Sequence, residues 1–225
     1  GKDDAHEASL KHLEERWERI VDLLGSERFP EFLRVFWNSR HKLVRKADLF
    51  KTIRRKITNK VEAFQLVREL DYSAEVYAML RDPLHSSWQA EEKQSLQLLM
   101  MFNTRQPLAM LMACFCRFEE NSRSEFEKIL RAIVVISLRY NVICNKQANE
   151  QERVYNDVAR AVSAGEYKDA SAVLKAMADI YPSDSEFIAA FASKELKTTN
   201  TRNKKVVRYI LFSLEKQRSG QDFDV

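Results

Sequence analysis

At 225 residues, with 45% hydrophobic and 31% charged side chains, the chain is long enough for one large or two small domains with a real core and a charged outer surface. Four Gly and four Pro are too few for the turns of a sheet-rich fold, and the most apolar run, LAMLMACFC at 108–116, is far shorter than the roughly 20 residues of a membrane-spanning helix. The net charge of +4 is mild, yet residues 32–61 hold ten Lys/Arg against a single acid, Asp48, so the rest of the chain is net acidic.

The first helix is expected over 8–24, where Leu10, Leu13, Trp17, Ile20, Val21 and Leu24 recur at helical spacing and Gly25 offers a left-handed stop. Pro30 suits the first turn of a second helix, whose aromatic face is Phe32, Leu33, Phe36 and Trp37. Residues 38–45 read as a connector. A third helix from about Lys46 sets Leu49, Phe50, Ile53 and Ile57 on one side. Asn59 is placed to cap a long fourth helix that ends at Arg81-Asp82-Pro83. A loop then leads to Trp88 and a helix bearing Leu96, Leu98, Leu99 and Phe102.

Pro107 opens an almost wholly apolar helix with no polar side before Arg117, which marks it as central. Ser122 or Ser124 can cap the next, running to about Ile143. The polar stretch 145–149 divides the chain into expected helical subdomains 1–145 and 146–225, the second with helices at 150–163, 166–180, 184–197 and 201–218. No segment alternates over strand length. The expected fold is therefore all-α, a multi-helix bundle of about ten helices.

Chemistry-bearing motifs are missing. There is no GxxxxGK[ST] or GxGxxG turn to cradle a phosphate, and no HExxH. Cys114 and Cys116 point about 200° apart on a helix, so the two cannot share an ion, and they read as buried, inert thiols. An odd cysteine count speaks against a disulfide framework and for a reducing, cytoplasmic setting. The carboxylate pairs Glu14-Glu15, Glu91-Glu92 and Glu119-Glu120 read as solvated helix faces. No catalytic residue, metal ligand or cofactor site is assigned. The opening residues are polar, without a signal-peptide core, and begin with Gly rather than Met, from which an excerpt of a longer protein is expected.

The basic stretch is the candidate site. On a helical wheel Lys51 and Arg55 lie opposite the apolar stripe of the third helix and Arg54 flanks it, while the connector adds Arg40, His41, Lys42, Arg45 and Lys46. One-sided cations attract a nucleic-acid backbone, because each neutralised phosphate releases condensed counterions. Two plainer readings stand beside this one: a solvated helix face, and a dock for an acidic domain of the same protein. A second basic zone, 194–208 with Arg202, Lys204 and Lys205, is diluted by Glu195.

The residues FLRVFWNSRHKLVRKADLFKTIRRKI (32–57), with HLEERWERIVDLLG before them and FNTRQPLAMLMACF and VVRYILFSLEKQRSG after, resemble the helical middle region of GmrSD-type modification-dependent restriction endonucleases. In that family a ParB-like nucleotidase domain with an Asp-Gly-Gln-Gln-Arg type motif precedes such a region, and a His-Asn-His nuclease domain opening near a Glu-His-Ile-Leu-Pro type motif follows it. Neither motif occurs here, so no family catalytic residue carries over. The resemblance implies a non-catalytic helical part of a bacterial defence enzyme that uses a nucleoside triphosphate and a divalent metal elsewhere. Its partners would be the adjoining nucleotidase and nuclease domains and DNA, met through Arg40, Lys42, Arg45, Lys46, Lys51 and Arg55, with no membrane. The alternative is a helical protein-interaction scaffold without a DNA role.

Overall fold

A computed structural model describes residues 2–25, 28–119 and 122–220, with 2–10 as backbone only. Among these residues every regular element is helical: α1 (Lys2–Leu24), α2 (Phe29–Arg40), α3 (Lys46–Lys56), α4 (Lys60–Arg81), α5 (Ala90–Phe102), α6 (Leu108–Phe118), α7 (Arg123–Ile136), α8 (Ala148–Ser163), α9 (Ala170–Ala176), α10 (Asp184–Ala192) and α11 (Thr201–Ser219). A π-helical segment, Ser137–Ile143, prolongs α7, and a short 3-10 turn, Ala178–Ile180, follows α9. The all-α expectation thus stands.

The packing follows from α6. Met110, Leu111, Met112, Ala113, Cys114 and Phe115 are all buried, and as consecutive residues they take in all sides of the helix axis. Such a helix must be walled on all sides, and α2, α4, α7 and α8 supply the walls. Trp88, Phe115 and Phe126 form an aromatic knot with centroids 5.2–6.1 Å apart. The Trp88 indole N–H also donates to the carbonyls of Met79 and Asp82, which closes the end of α4.

Several local expectations need correction. α2 does not end at Trp37 but runs on to Arg40, with Asn38 and Ser39 buried, so the connector is only 41–45. Phe50 does not join the apolar stripe of α3: it is 74% exposed, and Leu49 is the helix's sole buried residue. Ser122 precedes α7 without a side-chain capping bond. The last turns before Ile143 are π rather than α. α9 starts only after Asp169, whose carboxylate accepts from the Ala172 N–H, and α10 stops at Ala192. Other expectations hold: Asn59 caps α4 through the Glu62 N–H, and Gly25 takes the left-handed conformation at φ 70°. Glu120 and residues 222–225 lie outside the described residues.

Two buried carboxylates bind helices distant in sequence. Asp71 of α4, 4% exposed, accepts from Arg16 and Arg19 of α1. Glu92, read from sequence as half of a solvated pair, is instead 1% exposed. It takes a fork from Arg123 (Nε 2.6 Å, Nη2 2.9 Å), and its other role is the capping box of α5, where Oε2 accepts from the Gln89 N–H at 2.9 Å. Arg123 in turn lies over the rings of Trp88 and Phe115. Replacing Glu92 with Ala strands the guanidinium against the knot and uncaps α5. The expected loss is about 2–4 kcal/mol, measured by urea unfolding, whereas Glu91→Ala on the exposed side is expected to change little.

Candidate nucleic-acid interface

The site is built outward from the end of α2. A helix terminus leaves four carbonyls without intrahelical partners, and here that terminus is buried against α8. Asn156 of α8 answers it: Nδ2 donates to the carbonyls of Asn38 (2.5 Å) and His41 (2.9 Å). Ser163 donates to the Ser39 carbonyl at 2.8 Å. Asn38 clamps the far side of the turn, since its side chain accepts from the Val44 N–H at 3.0 Å and donates to the Val44 carbonyl. The connector is therefore fixed to the body at both ends of its length, and α3 leaves it in a set direction.

α3 itself is a satellite. Leu49 is buried, but it lies outside the main core cluster, as does Trp37. Arg45 precedes the helix in extended backbone, and Asp48 occupies the first turn, where the helix dipole favours an acid. The last turn carries Arg54, Arg55 and Lys56.

The six candidate cations separate into two groups. Lys42, Arg45, Lys46, Lys51 and Arg55 are exposed, as is Arg54, and among the described residues none of these has an ion-pair partner. Arg40 departs from the expectation. Its side chain is only 23% exposed, folded back over the Phe36 ring at 4.4 Å, donating to Ser39 Oγ (2.6 Å) and Ser73 Oγ (3.0 Å), with Glu69 at 3.9 Å. Burial pushes its pKa down, opposed by Cys116 and Glu69, but an arginine stays charged regardless. Arg40 is a structural strut between α2 and α4, and it leaves the exposed set. In the second basic zone Arg202 is likewise committed, capping the end of α5 through the carbonyls of Met101 and Phe102.

His41 sits at the inner edge of the exposed set. Its ring lies 4.2 Å from that of Trp37, and Lys56 Nζ approaches Nδ1 at 3.1 Å. Burial, then the charges of Lys56 and Arg40, pull its pKa below the usual histidine value. The imidazole is thus neutral at pH 7.

Elsewhere, nothing gathers into reactive chemistry. Among the described residues no three His, Cys, Asp or Glu are placed to hold a metal ion. Cys114, Cys116 and Cys144 are free thiols, and burial pushes the pKa of each upward. A shallow cleft of about 270 Å³ between α1 and α4 is lined by His12, Arg16 and Arg68 over Leu13, Phe64 and Val67, but Arg16 is already spent on Asp71. No described helix is long and apolar enough to cross a membrane. Sequence reasoning missed Asn38 and Asn156, which hold the site in place; a polar residue within an apolar helix face, as Asn156 is beside Tyr155, Val158 and Ala159, was the available signal. Comparisons of the chain with protein-family models, with curated proteins and with solved structures find no match.

The lowered His41 pKa carries a sign. The unfolded chain binds a proton at about pH 6.5, the folded one only at lower pH, so stability falls as pH drops below about 6.5. An NMR titration of His41 is expected to show a midpoint below 6.5. Lys56→Gln should move that midpoint upward by removing the nearest cation.

Proposed function

We propose that the outer face of α3 and the turn before it bind the phosphate backbone of nucleic acid, and that the chain is the helical middle region of a nucleotide-dependent, modification-dependent DNA restriction endonuclease. The observation that carries the first part is the set of unpaired cations. Six exposed Lys/Arg within 42–55 meet no carboxylate among the described residues, on α3 and a preceding turn that Asn38 and Asn156 clamp. A merely solvated face mixes both signs. This one has a single acid, Asp48, at the position where the helix dipole calls for it. The second part is supported by the sequence resemblance. In it the chain is a non-catalytic link, and the nucleoside triphosphate and divalent metal belong to the flanking nucleotidase and nuclease domains.

A DNA titration at rising salt tests the surface. With about four phosphates engaged, affinity for duplex DNA is expected to fall roughly a hundredfold between 50 and 200 mM salt. Changing Lys42, Arg45, Lys46, Lys51 and Arg55 together to Glu should abolish low-salt binding while circular dichroism stays unchanged, since all five are exposed. Binding that survives the reversal refutes the assignment. The endonuclease setting is checked by the parent gene: an Asp-Gly-Gln-Gln-Arg type motif is expected upstream of this region and a Glu-His-Ile-Leu-Pro type motif downstream.

One observation favours a protein-interaction scaffold as a second reading. Every residue of α11 from Leu211 to Ser219 is exposed, including Leu211, Phe212 and Leu214, so this half of the helix lies clear of the core. If the chain served only as a scaffold, the charge reversal would leave partner binding intact and DNA would not bind at any salt concentration.

A further inference from the structure

Phe50 is the least expected residue of the surface. A phenylalanine 74% open to water gains nothing from the fold, and the sequence pattern placed it in the stripe beside Leu49. Its neighbours on the helix are specific. Lys46 and Arg54 stand four residues before and after it, so Lys46, Phe50 and Arg54 form one ridge along α3, with successive Cβ atoms about 5–6 Å apart. Lys51 and Arg55 form the next ridge. Among these five residues there is no acid, and none of the four cations is paired among the described residues.

We propose that Phe50 is a stacking platform for an unpaired nucleobase, and that the α3 surface therefore prefers single-stranded or locally opened nucleic acid to intact duplex. This rests on the phosphate-binding reading of the same surface. The chemistry follows from the ridge. A polyanion is what four unpaired cations attract, and among polyanions a nucleic acid also carries planar faces that match an exposed aromatic ring. Stacking tolerates any base, because every base has such a face, so the site would bind without reading sequence. In a duplex the faces of the bases are occupied by their neighbours, and the ring of Phe50 meets only sugar and phosphate. An unpaired base can turn onto the ring while its own phosphates stay within reach of Lys46 and Arg54, which lie about 12 Å apart along the helix axis. An anionic membrane would satisfy the cations too, and an acidic protein segment likewise, but neither calls for a base.

The test compares three fluorescein-labelled probes on the whole chain: a single-stranded thymidine oligomer of twelve nucleotides, an abasic oligomer of the same length and charge, and the matching duplex. The thymidine oligomer is expected to bind about tenfold more tightly than the abasic one. Phe50→Ala is expected to remove that difference and leave the salt dependence unchanged, while Phe50→Trp preserves it. Phe50 is exposed, so the variant is expected to fold, and its thermal unfolding is the control. Equal binding of thymidine and abasic oligomers by the unaltered chain overturns the proposal and leaves the phosphate reading standing. Equal losses on both probes in Phe50→Ala do the same. Failure of all three probes to bind overturns both readings, and binding to anionic vesicles without any to the oligomers would reassign the surface to a membrane.

Discussion

The helix α6 sets the terms for the rest of the molecule. A helix whose side chains are apolar all round has no face to give to water, so its burial requires neighbours in every direction. α2, α4, α7 and α8 meet that requirement although the chain reaches them in scattered order. Each wall helix can then spare only one face for α6 and must find something else to do with its other sides and its ends. The ion pairs, caps and clamps are answers to that second demand. Asp71 holds α1 onto the outer side of α4, and Glu92 with Arg123 ties α5 to α7 around the aromatic knot.

The end of α2 shows how this reaches the basic surface. Because α2 and α8 both press on α6, the C-terminal carbonyls of α2 are trapped between helices rather than in water. Trapped carbonyls cost free energy unless a donor is supplied, and Asn156 and Ser163 supply it. The same arrangement draws Arg40 inward, over Phe36 and onto Ser39 and Ser73. What remains for the solvent is the turn beyond Arg40 and the satellite helix α3. The turn that carries Lys42 and leads into α3 is thus held by hydrogen bonds that also satisfy the end of α2.

Much of this was legible in the sequence, for reasons that can be named. Helical spacing, the Asn59 cap and the apolar run of α6 are local signals, and local signals survive into the fold. The misreadings of single side chains mostly involve partners on another helix, whereas the misplaced helix ends are local. Glu92 looked solvated because its neighbours are charged, and Arg123, which buries it, is remote in sequence. Arg40 looked like one more surface cation because Ser73 and Glu69 are on another helix. Phe50 looked like core because it falls at the right spacing from Ile53 and Ile57, yet α3 is anchored through Leu49 and turns Phe50 away.

The charge on α3 cannot be explained by the helix alone. Cations in the last turn are favoured by the helix dipole, so Arg54, Arg55 and Lys56 have a structural reason to be there. Lys46 has the opposite problem. It stands in the first turn, at the positive end of the dipole, with Arg45 just before the helix and Lys42 in the turn. Lys51 and Arg55 add a like-charge pair four residues apart, a further penalty of about 0.2–0.5 kcal/mol. Asp48 offsets only part of this. Each unfavourable contact is relieved by an anion approaching from outside, and the N-terminal end of α3 would then favour that anion as well. Arg54, Arg55 and Lys56 suit the end of the helix they occupy, whereas Lys42, Arg45 and Lys46 crowd its positive end, and an approaching anion would offset what that crowding costs.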